Sequence, residues 1–219
     1  MIKAFIPAKG ISKRCPNKNL LLLPHVLETC KDILDVTVIT DSYDIFKICE
    51  TYNVDCYLED CSDYGNEFST VYNYLSVTKR LDSIDEFIVL PTTQPIRSNS
   101  AISNIVNCNL DKYDVVTTYI NIPDRSIFLL NEDNSFKYDS YERKGCLCKK
   151  IKMIDGAIYK IKTSFLKKLI VSDNINHAFW NESKIKFIEN TTNFFLDVDE
   201  PIDLEIFNVY KFYYDSRNT

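Results

Sequence analysis

"FIPAKGISKRCPNKN", residues 5–19, joins the apolar, strand-like opening "IKAFIP" (2–7) to a loop holding three lysines, an arginine, a glycine and two asparagines. Cations crowded into one loop repel each other unless something negative lies among them. In parallel α/β sheets, ligands bind outside the carboxyl ends of the strands. A basic loop directly after the first strand therefore predicts an anion-binding edge, ringed by Lys9, Lys13, Arg14 and Lys18. Gly10 lets such a loop curl around a phosphate chain with its N–H groups inward. The stretch matches neither G-x-x-x-x-G-K-[ST] nor G-x-G-x-x-G. On charge alone, a solvated basic loop explains it equally well.

The rest of the chain opposes that local charge. Its 219 residues carry a formal net charge of −5, which argues against nucleic acid as a partner. Hydrophobic residues at 45% and charged residues at 26% describe an ordinary globular chain, read as a single domain over 1–219. The N-terminus lacks the long apolar core of a signal peptide. "LLLLP" (20–24) is far too short to cross a bilayer, so no membrane association is expected. Of eight cysteines, only Cys146 and Cys148 are closely spaced, as a lone C-x-C, and there are two histidines. Reduced thiols in a cytoplasmic protein fit this better than a zinc site or a disulfide framework.

Short Val-, Ile- and Phe-rich runs alternate with helical periodicity. Strands are expected at 3–7, 35–40, 54–58, 86–91 and 114–120, with helices at 42–52, 66–81 and 98–109. This alternation predicts βαβ units and a mainly parallel sheet covered on both faces. The pattern breaks over 123–152, where "SIFLLNEDNSFKYD" (126–139) reads as a hairpin outside the main sheet. A strand at 156–161, a helix near 163–170, a strand at 184–189 and a last helix from Glu200–Pro201 complete the reading.

"FFLDVDEPIDL" (194–204) holds the second constellation. Asp197 and Asp199, one residue apart, face the same side of an extended segment. Paired carboxylates repel, and a hard cation such as Mg²⁺ relieves this while keeping water ligands. For Asp199 the alternative is capping of the helix that follows. Basic loop and acidic pair together fit a metal–nucleoside triphosphate. Arg97 either binds a substrate anion or caps its helix, and Asp41 is expected to be a structural turn carboxylate. Arg125, Arg143, Lys149 and Lys150 either face solvent or serve a neighbouring subunit, and His177 and Trp180 belong to a packed loop.

"IPAKGISKRCPNKN" resembles the opening signature of the CMP-acylneuraminate synthetases, the cytidylyltransferases that activate sialic acid and related 2-keto acid sugars. "VITDSYDI" (38–45), "LPTTQPIR" (90–97), "DGAIYKI" (155–161) and "FFLDVDEPIDLE" (194–205) follow in that family's order. The resemblance implies a Rossmann-like nucleotidyltransferase fold, a three-layer sandwich with a protruding hairpin that serves dimerisation. It implies CTP and a sugar acid as substrates, Mg²⁺ as cofactor and a homodimer, with 123–152 as the dimerisation element. By the same resemblance, Lys9 and Lys18 stand at catalytic, phosphate-binding positions, and Gly10, Ser12 and Lys13 lie along the nucleotide loop. Asn19 matches an asparagine near the cytosine, and Asp197 and Asp199 match the metal carboxylates. Gln94 and Arg97 are the candidates for substrate binding. The chain departs from the signature at Lys9, which replaces an arginine, at Ile11, which replaces a glycine, and at Pro91, which replaces a glutamine. An acceptor other than a nine-carbon sugar, or a non-catalytic nucleotide-binding role, are the rival readings.

Overall fold

The opening strand β1 (Lys3–Pro7) is buried along nearly its whole length, as a central parallel strand must be when helices cover both faces. Its alternation sorts the core. Ala4 and Ile6 point into one apolar cluster and Phe5 into the other. Strands β2 (Asp35–Thr40) and β4 (Glu86–Val89) repeat the rule, with Val38 and Ile88 on the first face and Ile39 and Val89 on the second. The computed structural model describes residues 2–60, 66–123, 132–133, 150–192 and 194–218, with side chains as far as residue 213.

Seven strands form one sheet in the order β3-β2-β1-β4-β6-β5-β7, with β3 at Asp55–Leu58, β5 at Val115–Pro123, β6 at Lys150–Lys162 and β7 at Ile185–Glu189. Pairings β1–β2, β1–β4, β2–β3 and β5–β7 are parallel. Only β6 runs against its neighbours, β4 and β5. Helices α1 (Lys18–Cys30), α2 (Tyr43–Tyr52) and α4 (Asn99–Val106) pack on one face through Val26, Ile45 and Ile102. Helices α3 (Glu67–Val77) and α5 (Thr163–Ile170) pack on the other through Val71, Leu75 and Leu166. The last helix, α6 (Pro201–Asn218), sets Phe207 into a third, small cluster with Leu22, Ile96, Leu196 and Val198. The architecture is the expected three-layer α/β sandwich, and no described helix is long and apolar enough to cross a membrane.

Several features differ from the sequence reading, among them that His177 and the exposed Trp180, expected in a packed loop, lie on the successive helical turns Ile175–His177 and Ala178–Glu182. The run Leu20–Leu23, noted only for its shortness, lies inside α1, a helix that the reading did not assign and that carries Pro24 in its interior. Proline removes one backbone donor there, but Leu22, Leu23, Val26 and Leu27 are all fully buried. Burying four such side chains contributes roughly 6–12 kcal/mol, which outweighs the proline's cost of about 3 kcal/mol. Helix α3 stops at Val77, short of the expected end at 81, and Lys79 lies beyond it with φ 57°. Strand β6 starts at Lys150, six residues before the predicted strand, while 124–131 and 134–149 of the expected dimerisation element, with Arg125, Arg143 and Lys149, lie outside the described residues.

Candidate active site

Because β1, β2, β3 and β4 are parallel, the loops that follow them converge at one edge of the sheet. There they enclose a cleft of about 800 Å³. Residues 196–199 cross this edge in extended conformation, with Val198 N–H donating to Thr93 O at 2.8 Å. Leu196 and Val198 turn into the small third core, and Asp197 and Asp199 turn into the cleft. The period of two anticipated from their spacing places both carboxylates on one side.

The basic loop is fastened by its own residues. Ala8 N–H extends the ladder to Ile39 O at 2.8 Å, and the Asn19 amide donates to Lys9 O at 2.9 Å. Thr92 Oγ1 donates to Asn19 Oδ1 at 2.5 Å, tying the start of α1 to the end of β4. Asn19 thus uses one donor and one acceptor of its amide to hold the loop, while it also lines the cleft. Ser12 Oγ accepts from Cys15 N–H at 3.3 Å. Gly10 N–H donates to Asp41 Oδ1 at 2.6 Å, so this N–H is taken up within the protein, and Asp41, which also lines the cleft, fastens the loop.

Gly10 is needed here for space. It is not among the residues with positive φ, but a Cβ at this position would sit 2.6 Å from Ser42 Cβ. Gly10→Ala is therefore expected to cost about 1–3 kcal/mol through overpacking. Adding Ser42→Gly should recover most of that loss, less the few tenths of a kcal/mol of the α2 cap that Ser42 provides. Urea unfolding of the single and double variants measures both, and an unchanged midpoint in Gly10→Ala would contradict the packing argument.

The cations meet the acidic pair across 180 residues of chain. Lys18, only 7% exposed, donates through Nζ to Val198 O at 2.8 Å and to Asp199 Oδ1 at 3.0 Å. Arg14, which is exposed, donates to the same Asp199 oxygen at 2.8 Å. Lys9 and Lys13 also line the cleft, as does Gln94. Asp197 is half-buried, and its carboxyl is held above the usual range, first by burial and then by the charge of Asp199; Thr93, Lys18 and Gln94 offset this only in part. A carboxylate raised by burial and by the charge of its neighbour is what a divalent cation relieves, and two carboxylates leave room for water or phosphate ligands on Mg²⁺. Among the described residues, no group of three or more His, Cys, Asp or Glu forms a ready-made metal centre.

Asp199 is free of the capping duty that its position suggested. Asp203 performs it, accepting through Oδ2 from Asp199 N–H at 3.0 Å and Glu200 N–H at 2.8 Å. These bonds hold the Asp203 carboxyl below its ordinary value of 3.8. The lowered pKa means that its stabilisation is complete above the unfolded-state value and is lost as pH falls through the folded one. Asp203→Ala is expected to cost about 1 kcal/mol at neutral pH. The gap to wild type should close under acid conditions, which denaturant midpoints measured between pH 7 and pH 2 would reveal.

Arg97 lies elsewhere. It is buried, donating through Nε to Ala157 O at 2.7 Å and through a terminal nitrogen to Pro91 O at 2.5 Å. Burial lowers its pKa to about 10, so it remains charged at neutral pH. It braces β6 against the loop after β4 and does not line the cleft. The sequence reading also omitted Glu59, Asn66, Glu67 and Thr70, which line the cleft as well. The strand-edge rule could have found Glu59, since it directly follows β3. Cys15, Cys30, Cys49, Cys56 and Cys108 are free thiols, and burial raises Cys30 to about 12; Cys61, Cys146 and Cys148 lie outside the described residues.

No protein-family model matches the chain, and no curated protein matches it in sequence. Solved structures do match its fold. CMP:2-keto-3-deoxy-manno-octonic acid synthetase complexed with CTP superposes with a TM-score of 0.69 at 16% identity, over 96% of this chain and 98% of that one. A 4-diphosphocytidyl-2C-methyl-D-erythritol synthase gives 0.64 at 14% identity, over 94% and 96%. A cytidylyltransferase from Leptospira borgpetersenii serovar Hardjo-bovis gives 0.59 at 16% identity, over 94% and 84%. At these identities the likeness is one of fold, a nucleotidyltransferase-like α/β sandwich.

Proposed function

We propose that the chain is a cytidylyltransferase that moves CMP from CTP to the hydroxyl of a nonulosonic-acid-type 2-keto acid sugar, with Mg²⁺ as cofactor and pyrophosphate as the second product. The observation that carries this reading is the meeting of Lys18, Arg14 and Asp199 in one cleft, with Asp197 beside them. Lysines ordered around a cleft hold phosphate oxygens, and an adjacent carboxylate pair holds the metal that accompanies a triphosphate. That the solved structures of like fold include cytidylyltransferases, one of them holding CTP, agrees with it.

In this reading Lys9, Lys13 and Lys18 bind the triphosphate. The substrate hydroxyl oxygen, giving up its proton to water, bonds to the α-phosphorus as the bond from that phosphorus to the oxygen bridging the β-phosphate breaks. Lys18 does most to stabilise the charge that develops, because its ammonium is buried and already held by Val198 O. Bound at Asp197 and Asp199, Mg²⁺ would supply neutralisation of the phosphate charge. Arg14 gives up its exposed bond to Asp199 when the cleft fills and turns to the phosphates. Pyrophosphate release from each of four nucleoside triphosphates, with and without a panel of eight- and nine-carbon 2-keto acid sugars, tests the proposal. Release that requires both CTP and a sugar acid is expected, and silence across the panel with CTP bound would overturn the acceptor class.

A further inference from the structure

The cleft has two chemically different walls. The loop after β1 lines it with cations, whereas the stretch from the end of β3 to the start of α3 lines it with Glu59, Glu67 and the uncharged Asn66 and Thr70. Glu59 stands at the carboxyl end of β3, where its N–H donates to Thr40 O at 2.8 Å. Its side chain is only 7% exposed, yet Oε2 is shut away from water with no hydrogen-bond partner among the described residues. Burial first, and then the charge of Asp41, raises its proton affinity, and Lys9 offsets this in part. Nearly all buried polar atoms in proteins are paired, so an orphan in a binding cleft calls for a donor from a ligand. A phosphate offers none and is repelled. An uncharged group bearing N–H or O–H satisfies the carboxylate.

Resting on the nucleotide reading above, we infer that Glu59 is a specificity-determining residue that accepts a hydrogen bond from the uncharged part of the nucleotide, either an exocyclic base amine or a ribose hydroxyl. Both sources present the same chemistry, a neutral N–H or O–H donor. An amine donor makes the site select CTP over UTP, whose carbonyl at the same place meets the carboxylate with a lone pair. A hydroxyl donor makes it select CTP over 2′-deoxy-CTP.

Calorimetric titration of wild type, Glu59→Gln and Glu59→Leu with CTP, UTP and 2′-deoxy-CTP decides the matter. Wild type is expected to favour CTP over one of the two analogues by on the order of 10- to 100-fold, the range for a bond to a charged group. Glu59→Leu should erase that preference and leave affinity for the disfavoured analogue unchanged. Thermal melting provides the control, since removal of an unpartnered buried carboxylate should not lower Tm in Glu59→Gln, whereas removal of a structural residue would. A preference absent from wild type, or one that survives in Glu59→Leu, overturns the assignment while leaving the nucleotide reading intact. Failure of wild type to bind any of the three removes both.

Discussion

Asp199→Ala is expected to reduce sugar-dependent pyrophosphate release from CTP by at least about 10²- to 10³-fold, the usual loss when a charge-stabilising group leaves an active site. The side chain has two tasks. In the structure it neutralises Lys18 and Arg14 at 3.0 and 2.8 Å. In the proposed reaction it pairs with Asp197 to hold Mg²⁺. Alanine ends both, and Lys18, nearly buried, keeps only Val198 O as a fixed partner. Asp199 is about one-third exposed, so the stability loss should stay near 1–2 kcal/mol, small enough for the variant to fold. Asp199→Asn separates the two tasks, because it keeps the shape and a hydrogen-bond acceptor for Lys18 but lacks the negative charge. Turnover and calorimetric Mg²⁺ titration should therefore fail in both variants, while urea midpoints fall mainly in Asp199→Ala. Full turnover in Asp199→Asn would remove this residue from the metal site.

Arg97→Ala should have the opposite profile, a large loss of stability with no specific effect on the cleft. Its guanidinium satisfies two buried carbonyls, of Ala157 on β6 and of Pro91 after β4. Truncation leaves both without donors and opens a void, at a cost of roughly 2–5 kcal/mol. For a chain of this size that lowers Tm by about 5–15 °C. Arg97→Lys should recover part of the loss, since one ammonium reaches either carbonyl but lacks the planar fork that spans both. Thermal and urea unfolding measure this directly. An unchanged Tm accompanied by a raised KM for the acceptor would restore the substrate-binding role that the sequence suggested.

Much of the fold was legible in period and punctuation. Strands at 3–7 and 35–40 and the helix at 163–170 lie where the apolar rhythm put them. Helix α1 was not legible, because Pro24 interrupts its signal and only burial against the sheet and Phe207 compensates. The reversed direction of β6 was also hidden, since strand direction depends on a connection whose composition carries no heading.

The site divided along the same line. That cations gather after β1, and that Asp197 and Asp199 share a side, follows from residue type and a spacing of two, which are local properties. That Lys18 and Asp199 touch is a tertiary fact, set by α6 closing on α1 through Phe207 and His25. Tertiary packing also reassigned the polar residues. Asn19 clamps the loop while lining the cleft, Gly10 is a close-approach point and Arg97 an internal brace, while Glu59 emerged as a cleft residue. A motif specifies which donors and acceptors the chain carries. Which are spent on the fold and which remain for a ligand is decided only when buried backbone groups must find partners, and that requirement is met in three dimensions.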